Sequence, residues 1–324
     1  MAEAETYKQT KALFEKVLKS MNSSIVGQDE VIENLLISVI TGSHTLLEGY
    51  PGLGKTMMIR ALSQVLDLKF SRIQCTPDLM PSDITGTYII EEDQKTGKKD
   101  YRFQEGPVFA NIVLADEINR ATPKTQSALL EAMQEKQVTA GNCTFKLELP
   151  FFVLATQNPL EMEGTYPLPE AQLDRFLLKL LVKYPSFDDE MKVVELYTGE
   201  GVPQPQKVLT KQAIMDLGNL VKMMPISNDL RERALRIVIA TRPNEENKTA
   251  TQYLEYGASS RAGIGIVLAA KARALLHGNN FVSKEDIDAM SIPVLRHRLI
   301  LNFESEREGV TTDDVAKIII KEVK

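Results

Sequence analysis

The sequence is poor in the residues that build disulfide frameworks and transition-metal sites. It contains two cysteines, Cys75 and Cys143, and three histidines, at positions 44, 277 and 297. Neither cysteine has a second cysteine or a histidine at the spacing of metal ligands, so we expect both thiols to be reduced and structural. The histidines lie at unrelated positions, which gives no support to a histidine-rich metal site or a Ser/His/Asp triad. We expect them to be ordinary packing or surface residues.

Long apolar runs are also missing. Every apolar segment is much shorter than the ~20 residues that a helix needs to cross a bilayer, and residues 1–5 do not form a basic segment leading into an apolar one. With 43% hydrophobic and 25% charged residues the composition is typical of a globular protein, so we expect a cytoplasmic protein without membrane insertion. The net charge of -6 argues against a dominant role in binding nucleic acid, and proteins are the expected partners.

One stretch, Gly49 to Thr56, carries the strongest signal in the chain. It has the spacing of a phosphate-binding loop, in which glycines let backbone N–H groups surround phosphate oxygens. Lys55 would add a positive charge there, and the hydroxyl of Thr56 would face Mg²⁺. An apolar strand predicted at Thr45–Glu48 and an amphipathic helix predicted at Met57–Leu66 flank the stretch as the motif requires. The sequence therefore predicts a site for a nucleoside triphosphate.

Two further predicted strands end in polar residues. The apolar run from Asn111 ends at Asp116 and Glu117. Because buried parallel strands bring their carboxyl ends to the ligand-binding edge of an α/β sheet, Asp116 would hold Mg²⁺ through water and Glu117 would accept a proton from an attacking water. The run Phe151–Thr156 leads to Asn158, whose amide can bond a γ-phosphate or that water. An Asn-Pro turn is the default interpretation of this dipeptide alone.

Two β-hairpins and a helical carboxyl-terminal half complete the predicted architecture. The hairpins span 87–103, with an exposed polar turn, and 137–149, with a turn at Gly141-Asn142. A helix at Asp188–Thr198 and a linker rich in glycine and proline follow the last predicted strand, Leu177–Val182. The later amphipathic segments are all helical, with caps predicted at Thr210, at Asn228 or Asp229, at Ser259 or Ser260, at Ser283, and at Thr311 or Thr312.

Four further residues are informative mainly because a phosphate loop is present. Val26 and Gly27 form a turn that can lie beside a nucleotide base, with an ordinary glycine turn as the alternative. Arg175, taken singly, is interpreted as a surface ion-pair residue. Arg261 lies in the first turn of a predicted helix, where its charge opposes the helix dipole, so we expect it to have an anionic partner.

The order of these features resembles that of AAA+ ATPases and, more narrowly, that of the MoxR family. The resemblance is carried by Gly27-Gln28 and by the segments 46–56 (LLEGYPGLGKT), 115–121 (ADEINRA), 126–133, 155–159 (ATQNP), 163–176 (EGTYPLPEAQLDRF) and 257–262 (GASSRA). It implies a three-layer α/β P-loop NTPase domain at 1–183, with a parallel sheet and β-hairpin inserts. A crossover helix and linker at 184–208 and a smaller all-helical lid domain at 209–324 would follow.

The resemblance also assigns roles to individual residues. Gly49 to Thr56 would be Walker A, Asp116 and Glu117 Walker B, Asn158 sensor 1, Arg175 the arginine finger and Arg261 sensor 2. In such proteins the finger reaches the nucleotide of the neighbouring subunit, and relatives with similar inserts can also use sensor 2 in trans. Hydrolysis then needs a ring, usually a hexamer. The expected site residues are Glu117, Asn158, Arg175 and Arg261 for catalysis; Val26, Gly27, Gly49, Pro51, Gly52, Leu53, Gly54, Lys55, Thr56 and Met57 for nucleotide binding; and Thr56 and Asp116 for the metal.

The function that the resemblance implies is Mg²⁺-dependent ATP hydrolysis in a ring, coupled to remodelling, maturation or metal-cofactor insertion of a client complex. A client or adaptor protein carrying a von Willebrand factor A domain is one expected partner. Three alternatives remain open: a magnesium-chelatase-type motor subunit, a nucleic-acid motor of the minichromosome-maintenance type, and a nucleotide-switched scaffold with little turnover. The acidic balance disfavours the nucleic-acid motor, and the joint presence of Glu117, Asn158 and Arg175 favours turnover.

Overall fold

The structure is a computed structural model that describes residues 2–92, 99–141, 143–159, 164–199 and 201–323. Its helices are α1 (Ala2–Asn22), α2 (Asp29–Ile40), α3 (Lys55–Val65), α4 (Pro81–Thr85), α5 (Pro123–Glu135), α6 (Glu170–Leu173), α7 (Phe187–Thr198), α8 (Lys211–Met223), α9 (Asn228–Ala240), α10 (Lys248–Tyr253), α11 (Ser260–Leu276), α12 (Lys284–Leu295), α13 (Phe303–Arg307) and α14 (Thr312–Glu322). Its strands are β1 (Thr45–Glu48), β2 (Phe70–Gln74), β3 (Gly86–Glu92), β4 (Lys99–Glu105), β5 (Ile112–Asp116), β6 (Gln137–Ala140), β7 (Cys143–Lys146), β8 (Phe152–Gln157), β9 (Leu178–Leu181), β10 (Leu254–Tyr256) and β11 (Ile300–Leu301). The turn of the first predicted hairpin at 93–98, Asn142 of the second, and Glu163 lie outside the described residues.

A parallel sheet with the strand order β2-β5-β8-β1-β9 forms the centre of the described chain. Leu114 of β5 belongs to the core shared with α2 and α3, whereas its neighbours Val113 and Ala115 belong to the core under α5. Because successive side chains of a strand point to opposite faces, β1, β5 and β8 contribute buried residues to both cores. The predicted three-layer α/β architecture is therefore confirmed, and the carboxyl ends of β1, β5 and β8 meet at one edge.

The helices before the sheet are longer than the apolar spacing predicts. The prediction placed the first helix at 10–21 and the second at 31–40, whereas α1 begins at Ala2 and α2 at Asp29. Tyr7 is the first described side chain of α1 to be buried, and it joins the core to which Phe14 and Val17 belong. The early turns of α1 are otherwise polar, which is why periodicity alone misses them.

The two β-hairpins lie side by side and are joined by aromatic rings. Both are antiparallel, as predicted: β3 pairs with β4, and β6 pairs with β7. Phe103 of β4 stacks on Phe145 of β7 with ring centroids 4.1 Å apart, and Phe109 packs edge-on against both rings. The short helix α4, which the sequence did not predict, precedes the first hairpin; the carboxylate of Asp83 accepts a hydrogen bond from the Met80 N–H at its start. The hairpins thus form one projection with an aromatic base.

The carboxyl-terminal half is helical apart from the antiparallel pair β10–β11, which the sequence did not predict. Thr210, Ser283 and Thr311 cap their helices as expected, but Ser227, and not Asn228 or Asp229, caps α9 by accepting a bond from the Leu230 N–H. Buried residues of α11 belong to the same core as the sheet, so the packing is continuous and the domain boundaries stay a prediction. In the described part of the chain, no helix combines the length and apolarity needed to cross a membrane.

Candidate functional site

The segment Gly49–Thr56 connects β1 to the first turn of α3. Gly52 and Gly54 have φ values of 85° and 70°, which favour glycine, and a Cβ added at either would meet no atom within 4 Å. Gly49 is needed for a different reason, because its Cβ would lie 2.8 Å from the carbonyl oxygen of Val182. The loop therefore curves around open space at the amino end of an 11-residue helix, where N–H groups and the helix dipole favour an anion.

Lys55 supplies the positive charge of this loop. Its Nζ donates to the carbonyl oxygens of Gly49 and Tyr50. Burial lowers the pKa of Lys55, while the charges of Asp116 and Glu117 act to raise it. The two predicted carboxylates thus lie close enough to Lys55 to influence its charge, as one shared site requires.

Asp116 ends β5, and its carboxylate has two partners. One oxygen accepts a hydrogen bond from the Thr156 hydroxyl at 2.6 Å, and the other pairs with Arg72 of β2 at 2.6 and 3.1 Å. Asp116 is 9% exposed, so the ion pair compensates a largely buried charge. Asp116 and the hydroxyl of Thr56 are hard oxygen donors of the kind that Mg²⁺ prefers, and these residues fit that metal.

Glu117 adopts the left-handed conformation, with φ 57° and ψ 51°, which is unusual for a residue with a side chain. Its N–H donates to the Thr156 hydroxyl at 2.8 Å, so the hydroxyl that bonds Asp116 also fixes the backbone of Glu117. The carboxylate accepts hydrogen bonds from Gln74 at 3.2 Å and from Arg120 at 3.0 Å. Glu117 is therefore held by contacts to its backbone and to its side chain.

Asn158 follows β8, which lies between β5 and β1 in the sheet. Because β8 lies between β5 and β1, Asn158 is expected between the carboxylates and the loop, although it lies far from both in the sequence. Asn158 is 8% exposed. The loop Gly49–Thr56 with Asp116, Glu117 and Asn158 is called the loop edge below.

A cavity of about 620 Å³ lies beside the loop. Its lining includes six of the predicted nucleotide-binding residues, namely Val26, Pro51, Gly52, Leu53, Gly54 and Met57. Tyr184 and four residues of α7, namely Glu190, Val193, Val194 and Tyr197, also line it, and they were not predicted from the sequence. The Tyr197 hydroxyl contacts the Met57 sulfur. The apolar side chains of this wall suit a flat base, and the fact that no residue of α7 is buried becomes apparent only in the folded chain.

Gly27 lies next to this cavity but is not among its lining residues. Its φ is 72°, and an added Cβ would lie 3.0 Å from a carboxylate oxygen of Asp189. Gln28 extends from the same turn to the carbonyl oxygen of Lys183 at 3.3 Å, and it lines the cavity. The turn thus brings the amino-terminal segment to the start of α7.

The two predicted arginines lie outside the lining of this cavity. The Arg175 guanidinium donates to the carbonyl oxygen of Leu130 on α5 at 2.8 Å. Arg261 is 61% exposed and pairs with Asp174, the residue before Arg175, at 3.5 Å. The described residues that line the 620 Å³ cavity include neither arginine. We call Asp174, Arg175, Ser259, Arg261 and Arg298 the arginine surface.

Comparison with known proteins agrees with this geometry. Residues 44–178 match the family model of ATPases associated with various cellular activities (AAA), and residues 246–319 match the AAA lid domain. Chaperone MoxR1 of Mycobacterium tuberculosis is 40% identical over 99% of this chain and 83% of its own length. The chain belongs to the MoxR family of AAA+ ATPases.

Two other proteins are similar to the chain over nearly its full length. The uncharacterized protein YeaC of Bacillus subtilis is 42% identical over 96% of this chain and 94% of its own length. A crystal structure of a protein from Cytophaga hutchinsonii superposes with a TM-score of 0.91 at 42% identity, covering 99% of this chain and 97% of the other. Nucleotide and Mg²⁺ use, and assembly into oligomers, are general properties of the AAA family to which MoxR proteins belong.

Proposed function

We propose that this MoxR protein hydrolyses ATP in a homo-oligomeric ring, of hexameric form, and uses the energy to remodel or mature a client protein complex. The observation that carries the proposal is that both arginines bond residues outside the loop edge: Arg175 donates to the Leu130 carbonyl oxygen, and Arg261 pairs with Asp174. An ATPase of this family needs an arginine at the γ-phosphate. A neighbouring copy of the chain can supply this arginine to each loop edge.

Different residues of the chain bind the different parts of the nucleotide at the loop edge. The N–H groups of Gly49–Thr56 and the Lys55 ammonium bind the phosphates, and the apolar cavity binds the base. Thr56 and Asp116 would hold Mg²⁺, which neutralises phosphate charge when it is bound. Glu117 accepts the proton of the attacking water, and Asn158 orients that water.

The arginine surface acts on the nucleotide of the next subunit. The Arg175 guanidinium stabilises the charge that develops on the γ-phosphate oxygens, and Arg261 adds a second positive charge. Asp174 contacts Arg261 and precedes Arg175 in the chain, so it links the positions of the two charges. Hydrolysis is then coupled to ring geometry, which is how a chemical step can drive a change in a bound client.

The test compares Glu117→Gln with the unaltered chain. We expect the variant to bind ATP with unchanged affinity and to release phosphate about 10²- to 10⁴-fold more slowly, because the proton acceptor is lost. Its mass, measured with ATP by light scattering, should be that of a ring. An unaltered chain that binds ATP without releasing phosphate would instead favour the nucleotide-switched scaffold.

The client can be sought with the same variant. A tagged Glu117→Gln chain held in its ATP state should retain client or adaptor proteins, including any with a von Willebrand factor A domain. Lys55→Ala is the matched control, since it should not reach the ATP state. Capture of the same proteins by both variants would contradict ATP-dependent client binding.

A further inference from the structure

Arg298 lies at the centre of the arginine surface although the sequence analysis did not single it out. It follows α12 in the carboxyl-terminal half, and its side chain is 5% exposed. Its Nε donates to Asp174 at 2.7 Å, across a separation of 124 residues in the chain. Burying a guanidinium costs free energy unless the group is paired and hydrogen-bonded, and Asp174 supplies the opposite charge here.

The remaining donors of Arg298 hold the backbone on both sides of Arg175. Nη2 donates to the carbonyl oxygens of Asp174 at 3.2 Å and Phe176 at 2.8 Å, and Nη1 donates to that of Leu177 at 3.1 Å. Nη1 also bonds the carbonyl oxygen of Val294 at the end of α12. All five N–H donors of the guanidinium therefore have acceptors, and three of these acceptors are carbonyls next to the predicted finger.

The second oxygen of Asp174 faces the start of α11. It lies 3.5 Å from the Arg261 guanidinium and accepts a hydrogen bond from the Ser259 hydroxyl at 3.2 Å. Ser259 in turn caps α11 by accepting the Arg261 N–H at 3.2 Å. Asp174 thus links the buried Arg298 on one side to the exposed Arg261 on the other.

We propose that Arg298 is a positioning residue, which holds Arg175 and Arg261 in one fixed arrangement that acts on the nucleotide of the neighbouring subunit. The proposal rests on the proposed function, since it requires that both arginines act in trans. Burial lowers the pKa of Arg298, and its bond to Asp174 acts against that shift, so the charge is maintained by the pair. A displacement of about 1 Å at a catalytic group can cost ~10²-fold in rate.

Arg298→Lys is the informative substitution because it keeps the charge but cannot bond four carbonyls and a carboxylate at once. We expect the ATP dissociation constant to stay within about twofold, since Arg298 does not line the cavity beside the loop, and kcat to fall about 10- to 100-fold. Arg296→Lys is the matched control. Arg296 is a mostly buried arginine two residues away that pairs with Asp313, and its variant should keep the parent kcat.

A mixed ring separates positioning from a general structural role. Arg298→Lys and Glu117→Gln chains are co-expressed with different tags, and rings holding both are purified. Each variant alone is slow, but a Glu117→Gln subunit keeps an intact arginine surface for a neighbouring Arg298→Lys subunit with an intact loop edge. In randomly mixed rings about a quarter of the interfaces are productive, so activity should return to about a quarter of the parent rate.

The reference mixture is Arg175→Ala with Glu117→Gln. Recovery in both mixtures supports the positioning proposal. Recovery in the reference mixture alone means that Arg298 acts within its own subunit, which overturns the proposal and leaves the proposed function intact. No recovery in either mixture overturns action in trans, and the positioning role falls with it.

A second variant keeps the proposal testable if Arg298→Lys does not fold. Asp174→Asn preserves the size of the side chain and the carbonyl contacts of Arg298, but it removes the carboxylate that faces Arg261. We expect unchanged ATP affinity, reduced kcat and recovery when mixed with Glu117→Gln. Parent kcat in Asp174→Asn would contradict the linkage of the two arginines through Asp174.

Discussion

The loop edge and the arginine surface are built by different means. The loop edge is produced by backbone geometry: positive φ at Gly52, Gly54 and Glu117, and three strands that end side by side. The arginine surface is produced by side chains: Asp174 and Arg298 meet across 124 residues, and Arg261 joins them from α11. The first can therefore be recognised in short stretches of sequence, whereas the second exists only in the folded chain.

The difference also separates two kinds of effect on activity. Changes in the loop Gly49–Thr56 should alter nucleotide affinity, because we expect this loop to bind the subunit's own nucleotide. Changes at the arginine surface should alter kcat without altering affinity in the same subunit. The substitutions of Arg175, Lys55 and Tyr197 are each tested for both quantities, so that they can confirm or remove this distinction.

The largest effect is expected for Arg175→Ala. Loss of an arginine finger costs ~10³- to 10⁵-fold in rate, or about 4 to 7 kcal/mol, whereas ATP affinity should be unchanged. Phosphate release and equilibrium ATP binding measure the two quantities. Arg236→Ala is the control, since Arg236 is an exposed arginine on α9 that pairs with Glu232. A parent rate in Arg175→Ala would show that Arg175 is not the finger.

The second-largest effect is expected for Lys55→Ala, and here the affinity for ATP should change. A charged hydrogen bond contributes about 1.5 to 3 kcal/mol, so the ATP dissociation constant should rise about 10- to 100-fold. Lys284→Ala, at an exposed position of α12, should leave it unchanged. An unaltered dissociation constant in Lys55→Ala, with only kcat reduced, would remove the distinction between the two regions.

The sequence predicted most of the loop edge because its signals are local. The strand Thr45–Glu48 is observed at its predicted bounds, and the helix after the loop begins at Lys55, two residues before its predicted start. Asp116 and Asn158 could be placed because buried parallel strands bring their ends to one edge. The general three-layer fold followed from the same strands.

The contacts of Arg298, the tyrosine walls of the cavity and the cap of α9 could not be predicted from local sequence patterns. Arg298 bonds mostly to backbone carbonyls, which carry no sequence signal, and its carboxylate partner is distant in the chain. Tyr184 and Tyr197 become cavity walls only because α7 folds back beside the loop. Ser227 caps α9 in competition with two adjacent residues of equal capping preference, a choice that only the backbone conformation at the helix start decides.

The third test uses acid, because the fold buries two histidines, His44 and His297. His44 immediately precedes β1; its ring accepts the Val153 N–H and donates to the Met133 carbonyl oxygen. Burial lowers the pKa of His44 to about 4, and the positive charge of Lys136 acts in the same direction. On the arginine surface side, burial and Arg298 lower the pKa of His297 well below its usual value. Both histidines therefore favour the neutral form in the folded protein.

The resulting stability change has a defined pH range. Above pH ~6.5 His44 is neutral in both the folded and the unfolded chain, and between ~6.5 and ~4 only the unfolded chain binds the proton. The free energy of unfolding should therefore fall as pH falls, by about 2 kcal/mol from His44 alone between pH 6.5 and 5. Urea unfolding of His44→Asn should show a shallower dependence on pH than the parent, and parallel curves would contradict the role of His44.

The smallest effect is expected at the wall of the cavity. Tyr197 is about half exposed and contacts Met57, so its ring can cover only part of a bound base. Truncation in Tyr197→Ala should weaken ATP binding by about 1 kcal/mol, or roughly fivefold, with kcat at saturating ATP unchanged. Phe187→Ala is the control, since Phe187 is an exposed aromatic residue at the start of the same helix and does not line the cavity.

Because the Tyr197 ring is expected at the base and not at the phosphates, inorganic triphosphate should compete equally well for both variants. A selective loss of triphosphate binding in Tyr197→Ala would place the nucleotide in a different orientation and would undo the assignment of this cavity to the base.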